Sequence, residues 1–210
     1  MKKAVFFDLD GTLIDSSPDL ATSVNFMLEK IGQKPFEFEL IRSWIGGGAK
    51  KLVERALNKA EIQYKDEYLE IFLEFYSNNL TNNTILFDDV IDVLEELKEN
   101  YILTLITNKP YKFTIPILEH FKIKNYFEII LGAESLEFKK PHPMPLNYCL
   151  EKLTLKPKEA IMVGDTKNDI ISANKAGVDS ILVSYGYDKN LEEKPTFVCE
   201  NLKDIIKCIK

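Results

Sequence analysis

Ala4-Val5-Phe6-Phe7-Asp8-Leu9-Asp10-Gly11-Thr12 is the stretch on which the reading of this chain turns. Four apolar residues in a row, closed by a turn signal, predict a short strand buried on both faces. Gly11 breaks the strand and turns the chain at its C-terminal end. In open α/β sheets, ligands bind at such ends. Asp8 and Asp10 stand there two residues apart. Like charges raise each other's pKa, and burial adds to the penalty. A cation would relieve both. The pair points to a metal-assisted carboxylate site in which one aspartate attacks and the other moves protons.

Beyond Thr12 the pattern changes. Residues 17–80 predict helices and no strand. Pro18-Asp19-Leu20 opens the first, with Leu20, Val24, Met27, Leu28 and Ile31 on its apolar face and Gly32 at its end. Further helices are predicted at 37–42, 49–60 and 66–80, and Trp44-Ile45-Gly46-Gly47-Gly48 joins the second to the third. From Phe87 onward, strands and helices alternate. Strands are predicted at 102–106, 127–131, 160–163, 180–183 and 196–199. Helices are predicted at 90–100, after Tyr111, and at 145–153, 168–176 and 202–209. Repeated βα alternation with solidly apolar strands predicts a parallel sheet with helices on both faces. The expected organisation is an α/β core formed by 1–14 and 84–210, interrupted by an all-helical insert at 15–83.

Composition narrows the function classes. The 210 residues are 45% hydrophobic and 29% charged, with a net charge of −6. The acidic balance lacks the basic footprint of a nucleic-acid binder, and no apolar run approaches the ~20 residues of a membrane-spanning helix. Cys149, Cys199 and Cys208 are few and odd in number, and their spacing does not suit a metal. They are expected to be reduced thiols of a cytoplasmic protein. A signal peptide is not expected, because its removal would take the Asp8–Asp10 motif with it. No feature fixes an oligomeric state.

Three later loops also follow predicted strands. Thr107-Asn108-Lys109 offers a hydroxyl, an amide and a helix start, which can bind phosphate oxygens or simply cap a helix. Lys139-Lys140-Pro141-His142-Pro143 holds a lysine between stiffening prolines, where an aimed ammonium could stabilise a phosphoryl group. The bland alternative is a solvated turn. Gly164-Asp165-Thr166-Lys167-Asn168-Asp169 places two carboxylates where a strand enters a helix. They could supply a hard-cation ligand and its supporting partner, or an acidic first turn. His120 and His142 are expected to be surface or structural residues. Trp44 is expected in the core or rim of the insert.

In order and position, Asp8-Leu9-Asp10-Gly11-Thr12, Thr107, Lys140 and Gly164-Asp165 with Asp169 resemble the four motifs of the haloacid dehalogenase superfamily of phosphatases. Within it the chain is most similar to the phosphoglycolate phosphatase family, through 8–18, 44–57, 107–110, 139–146 and 164–177. That family commonly has Asn between the glycines of the 46–48 loop, where this chain has Gly47. The resemblance implies a Rossmann-like core with a helical cap and a magnesium-dependent phosphomonoester hydrolase. In it Asp8 is the nucleophile, forming an aspartyl-phosphate, and Asp10 is the acid/base. Thr107, Asn108 and Lys140 grip the phosphoryl oxygens. Mg²⁺ is held by the Asp8 and Asp165 carboxylates and the Asp10 backbone carbonyl. Asp169 orients Lys140 or metal-bound waters, and Asp15 helps position the cap hinge. The implied substrate is a small phosphorylated metabolite, 2-phosphoglycolate foremost. Gly46, Gly47 and Gly48 would cradle its carboxylate with backbone N–H groups, as glycine runs can. Other small-metabolite phosphatases, a pyrophosphatase and a phosphomutase share the core motifs. A silent phosphometabolite-binding protein is the non-enzymatic alternative.

Overall fold

The computed structural model describes residues 1–188 and 192–209. In chain order the strands are β1 (Ala4–Phe7), β2 (Ile14–Asp15), β3 (Ile85–Leu86), β4 (Ile102–Ile106), β5 (Ile129–Leu131), β6 (Ala160–Gly164), β7 (Asp179–Val183) and β8 (Phe197–Cys199). The helices are α1 (Ser17–Lys30), α2 (Phe38–Arg42), α3 (Ala49–Lys59), α4 (Asp66–Ser77), α5 (Val90–Lys98), α6 (Tyr111–His120), α7 (Met144–Lys152), α8 (Lys167–Ala176) and α9 (Ile205–Ile209).

Six strands form one sheet in the order β5-β4-β1-β6-β7-β8, and every pairing in it is parallel. Strand β1 is central. The chain builds outward on one side through β4 and β5, then crosses back to β6, β7 and β8. This reversal makes the ends of β1 and its neighbours the site-forming crevice of a Rossmann-like sheet.

The alternation of β1 sorts its residues into two cores. Val5 and Phe7 join Val93 and Leu94 of α5, Ile117 of α6 and Ile205 of α9. Ala4 and Phe6 join Leu146 and Cys149 of α7 and Ala173 of α8. Helices α1 to α4 share a third core, built from Leu20, Val24, Met27, Leu52, Val53 and Phe72 among others. Phe113 of α6 reaches into it from the sheet side.

Sequence periodicity misses the β2–β3 ribbon, which pairs Ile14 with Leu86 and Asp15 with Ile85 antiparallel. Two residues per strand carry no periodic signal. The ribbon lies where the chain leaves the sheet domain and returns. Asp19, buried in the first turn of α1, ties the same junction. Its carboxylate accepts from the backbone N–H groups of Asn83 and Thr84, the Asn83 amide and the Thr84 hydroxyl, all at 2.7–3.0 Å. Several element ends also shift. Helix α4 stops at Ser77 and α5 at Lys98, and β5 starts at Ile129. Predicted helix 202–209 begins as a 3₁₀ turn, Leu202–Asp204. Such turns share the three-residue spacing of a helix and are hard to separate from it by pattern.

Candidate active site

Because β1, β4 and β6 are adjacent and parallel, the residues that follow them emerge on one edge. Phe7 is level with Leu105 and Val163. Asp8 follows β1 and donates its backbone N–H to the Val163 carbonyl at 2.9 Å. Thr107 follows β4 and donates likewise to Leu131 at 2.9 Å. Asp165 follows β6. Gly11 lets the first loop come close to it: φ is +84°, and a Cβ there would lie 2.1 Å from the Asp165 Oδ2. Any side chain at Gly11 meets both a strained backbone and the carboxylate.

Carboxylate oxygens of Asp8, Asp165 and Asp169 lie within 4.8 Å of one another, all buried. Lys140 enters from the loop before α7, and its buried ammonium lies 2.6 Å from Asp169 Oδ1 and 3.0 Å from Asp8 Oδ1. Burial works against that ammonium, but Asp169 and Asp8 outweigh it and raise its pKa. Burial first, then Asp169, pushes Asp8 up to about 7, although Lys140 and the Leu9 N–H pull the other way. Burial, then Asp169 and Asp8, holds Asp165 well above the usual carboxylate range. Three carboxylates thus face one ammonium, and a divalent cation would balance the excess. An all-oxygen donor set suits a hard ion.

The three acids are not equivalent. Asp169 is fully engaged: Oδ1 accepts from Lys140, while Oδ2 accepts from the Thr166 N–H at 3.0 Å and hydroxyl at 2.8 Å. This is the geometry of a residue that orients Lys140. Among the described residues, Asp165 accepts one bond at each oxygen, from Thr12 Oγ1 at 3.2 Å and the Tyr187 N–H at 2.8 Å. The Asp10 side chain lies outside this cluster. It accepts from Lys109 Nζ at 2.8 and 3.1 Å and from Ser16 Oγ at 2.5 Å.

The sequence profile of the haloacid dehalogenase-like hydrolases matches residues 5–183. The chain belongs to that family. Phosphoglycolate phosphatase of Colwellia psychrerythraea is 43% identical to this hydrolase over 195 residues, covering 89% of this chain and 86% of the relative. That of Pasteurella multocida is 40% identical over 220 aligned positions, covering 99% and 98%. A crystal structure described as a predicted phosphoglycolate phosphatase, from Haemophilus somnus, superposes with a TM-score of 0.93 at 38% identity, over 100% of this chain and 98% of that one.

Lys109 and Tyr187 are the residues of this hydrolase that sequence reading missed. Lys109 stands in the Thr107-Asn108-Lys109 loop, which the sequence marks for its hydroxyl and amide rather than its lysine. It is buried against Asp10, 99 positions away. Tyr187 follows β7, where no motif marks it. Its N–H holds Asp165, and its hydroxyl accepts from the Ser16 N–H at 2.9 Å and donates to Asp15 Oδ1 at 3.1 Å. It joins the acid cluster to the start of the helical insert. Asp15 also accepts from the Ser17 N–H and hydroxyl.

The glycine loop meets the sheet domain through its carbonyls. The Gly46 carbonyl accepts from the amides of Asn108 at 3.2 Å and Asn168 at 3.0 Å. The Gly47 carbonyl accepts from Lys139 Nζ at 2.9 Å. Gly48 has φ +87°, and a Cβ there would lie 2.8 Å from the Asn108 carbonyl. Gly46 and Gly48, with Asp8, Asp10, Thr107 and Asn108, line a small cavity of about 30 Å³. Gly47 faces a separate cleft with Arg55, Thr166 and Asn168. Trp44 packs on the helical-insert core, edge-on to Phe36. His142 stacks on Phe138, and neither histidine lines the cavity. All three cysteines are free thiols. No helix among the described residues is long and apolar enough to cross a membrane.

Proposed function

We propose that this phosphatase hydrolyses 2-phosphoglycolate to glycolate and inorganic phosphate through an aspartyl-phosphate on Asp8. The observation that carries the reading is the buried Asp8 carboxylate, 3.0 Å from the Lys140 ammonium at the sheet edge, in a chain about 40% identical to phosphoglycolate phosphatases over nearly its whole length. An Asp8 oxygen attacks phosphorus in line, and the bond to the glycolate oxygen breaks. Asp10 gives that oxygen its proton. Asp10 then takes a proton from water, whose oxygen attacks the aspartyl-phosphate and frees phosphate and Asp8. Lys109 and Ser16 position Asp10 for both transfers.

Thr107, Asn108 and Lys140 hold the phosphoryl oxygens as charge moves onto the bridging atoms. The Asp8 and Asp165 carboxylates and the Asp10 backbone carbonyl would hold Mg²⁺, which supplies charge neutralisation between nucleophile and phosphate. Asp169 keeps Lys140 aimed. The helical insert at 15–83 acts as a cap over the core formed by 1–14 and 84–210, closing through Gly46, Gly47 and Gly48 to exclude water. The enzyme works in the cytoplasm on a free small metabolite.

The test is phosphate release measured across 2-phosphoglycolate, pyrophosphate, sugar phosphates and nucleotides. The expected result is highest kcat/KM for 2-phosphoglycolate, silencing by EDTA and recovery with Mg²⁺. A clear preference for another class would overturn the substrate, and full activity in EDTA would overturn the metal.

A further inference from the structure

The side chains that α1, α3, α4 and the glycine loop add to the cavity lining are almost entirely apolar: Leu20, Ile45, Ala49, Leu52 and Phe72, with Phe113 of α6 beside them. Tyr76 of α4 is the exception. Its side chain is 1% exposed, and its buried hydroxyl finds no acceptor for its proton among the described residues; the one group the phenol oxygen meets is the Lys109 ammonium, itself a donor. Such a group is costly, and natural structures seldom keep one without a reason. The ring is well held. It stacks on Phe72 at 5.8 Å and meets Phe113 edge-on at 5.3 Å.

The Lys109 ammonium lies 4.9 Å from the ring centroid, on the side where it also grips Asp10. Burial pushes the Tyr76 phenol up to about 12 despite the pull of Lys109. The hydroxyl therefore keeps its proton, and it is a fixed donor beside a fixed cation. The cavity is also small. At about 30 Å³ it has room for roughly two water-sized groups. Any phosphorylated substrate therefore needs the helical insert to shift, and a small acid asks the least displacement.

We propose that Tyr76 selects the leaving group, its hydroxyl donating a hydrogen bond to the carboxylate of a small phosphorylated acid. The inference rests on the phosphatase reading above and gives it a specificity residue outside the shared motifs. Lys109 adds to the site by offsetting the second negative charge brought in with such a substrate. An uncharged leaving group of equal size leaves the Tyr76 hydroxyl without an acceptor and gains nothing from it.

Tyr76→Phe removes only the hydroxyl, so it isolates this role. The readout is the ratio of kcat/KM for 2-phosphoglycolate to that for ethyl phosphate, which matches it in size but lacks the carboxylate. A hydrogen bond to a charged group predicts a fall in that ratio of about tenfold. The thermal midpoint of the free variant should equal or exceed that of the wild type, because a buried hydroxyl without an acceptor is lost. A ratio changed by less than about threefold overturns the assignment, including the case in which both rates fall together. Wild-type enzyme that hydrolyses ethyl phosphate but not 2-phosphoglycolate refutes the substrate reading itself, and the carboxylate role with it.

Discussion

At the scale of single residues, the site is a problem of charge. Asp8, Asp165 and Asp169 crowd one ammonium, and burial makes their charges costly. Burial raises the pKa of Asp8 from its ordinary 3.8 to about 7. Between those values the folded protein holds a proton that the unfolded chain has already lost, so stability falls as pH rises through that window. Asp165 is shifted in the same direction. Asp8→Asn keeps an acceptor for the Leu9 N–H and removes the charge. In EDTA at about pH 8 its thermal midpoint should exceed that of the wild type by several degrees. At about pH 3, below the ordinary 3.8, the wild-type carboxyl is largely neutral in both states and the gap should narrow. Equal midpoints at the higher pH would show that Asp8 is not strained in the folded protein.

At the scale of elements, the junction between sheet domain and helical insert is held by Asp19 and the β2–β3 ribbon. The Asp19 carboxylate satisfies four donors on the returning strand of chain. Asp19→Ala leaves buried N–H and O–H groups unpaired and should cost about 3 kcal/mol in urea denaturation. A loss under about 1 kcal/mol would mean that the junction is held by the ribbon instead. This is also where the sequence was least legible. The helices and sheet strands announced themselves through apolar runs and helical periodicity, and the motif loops through their place after those runs. Ile14-Asp15 and Ile85-Leu86 are too short for any period. Asp19 stands in the Pro18-Asp19-Leu20 opening of a helix, and nothing in the local pattern singles it out. Its partners lie 64 and 65 positions on, beyond the reach of local pattern.

At the scale of the whole molecule, the sheet and the helices α1 to α4 meet over one strand edge. In the proposed reaction the sheet supplies nucleophile, acid/base and phosphate grip. The helical insert supplies the wall: Gly46, held by its carbonyl to Asn108 and Asn168, and Tyr76 with its buried hydroxyl. Asp8, Thr107 and Asp165 were legible as neighbours because each stands directly after a strand. The pairings that shape the cavity were not. Lys109 with Asp10, Tyr187 with Asp165 and Tyr76 against Lys109 join residues that only the closed fold brings together. The central claim is that phosphate passes through Asp8, and trapping that intermediate tests it most directly. Enzyme mixed with 2-phosphoglycolate and Mg²⁺, quenched in acid during turnover and digested, should yield the peptide bearing Asp8 heavier by one phosphoryl group, in a form released by hydroxylamine. The Asp8→Asn variant should show neither the adduct nor turnover. Phosphate release by that variant at wild-type rates would contradict the account.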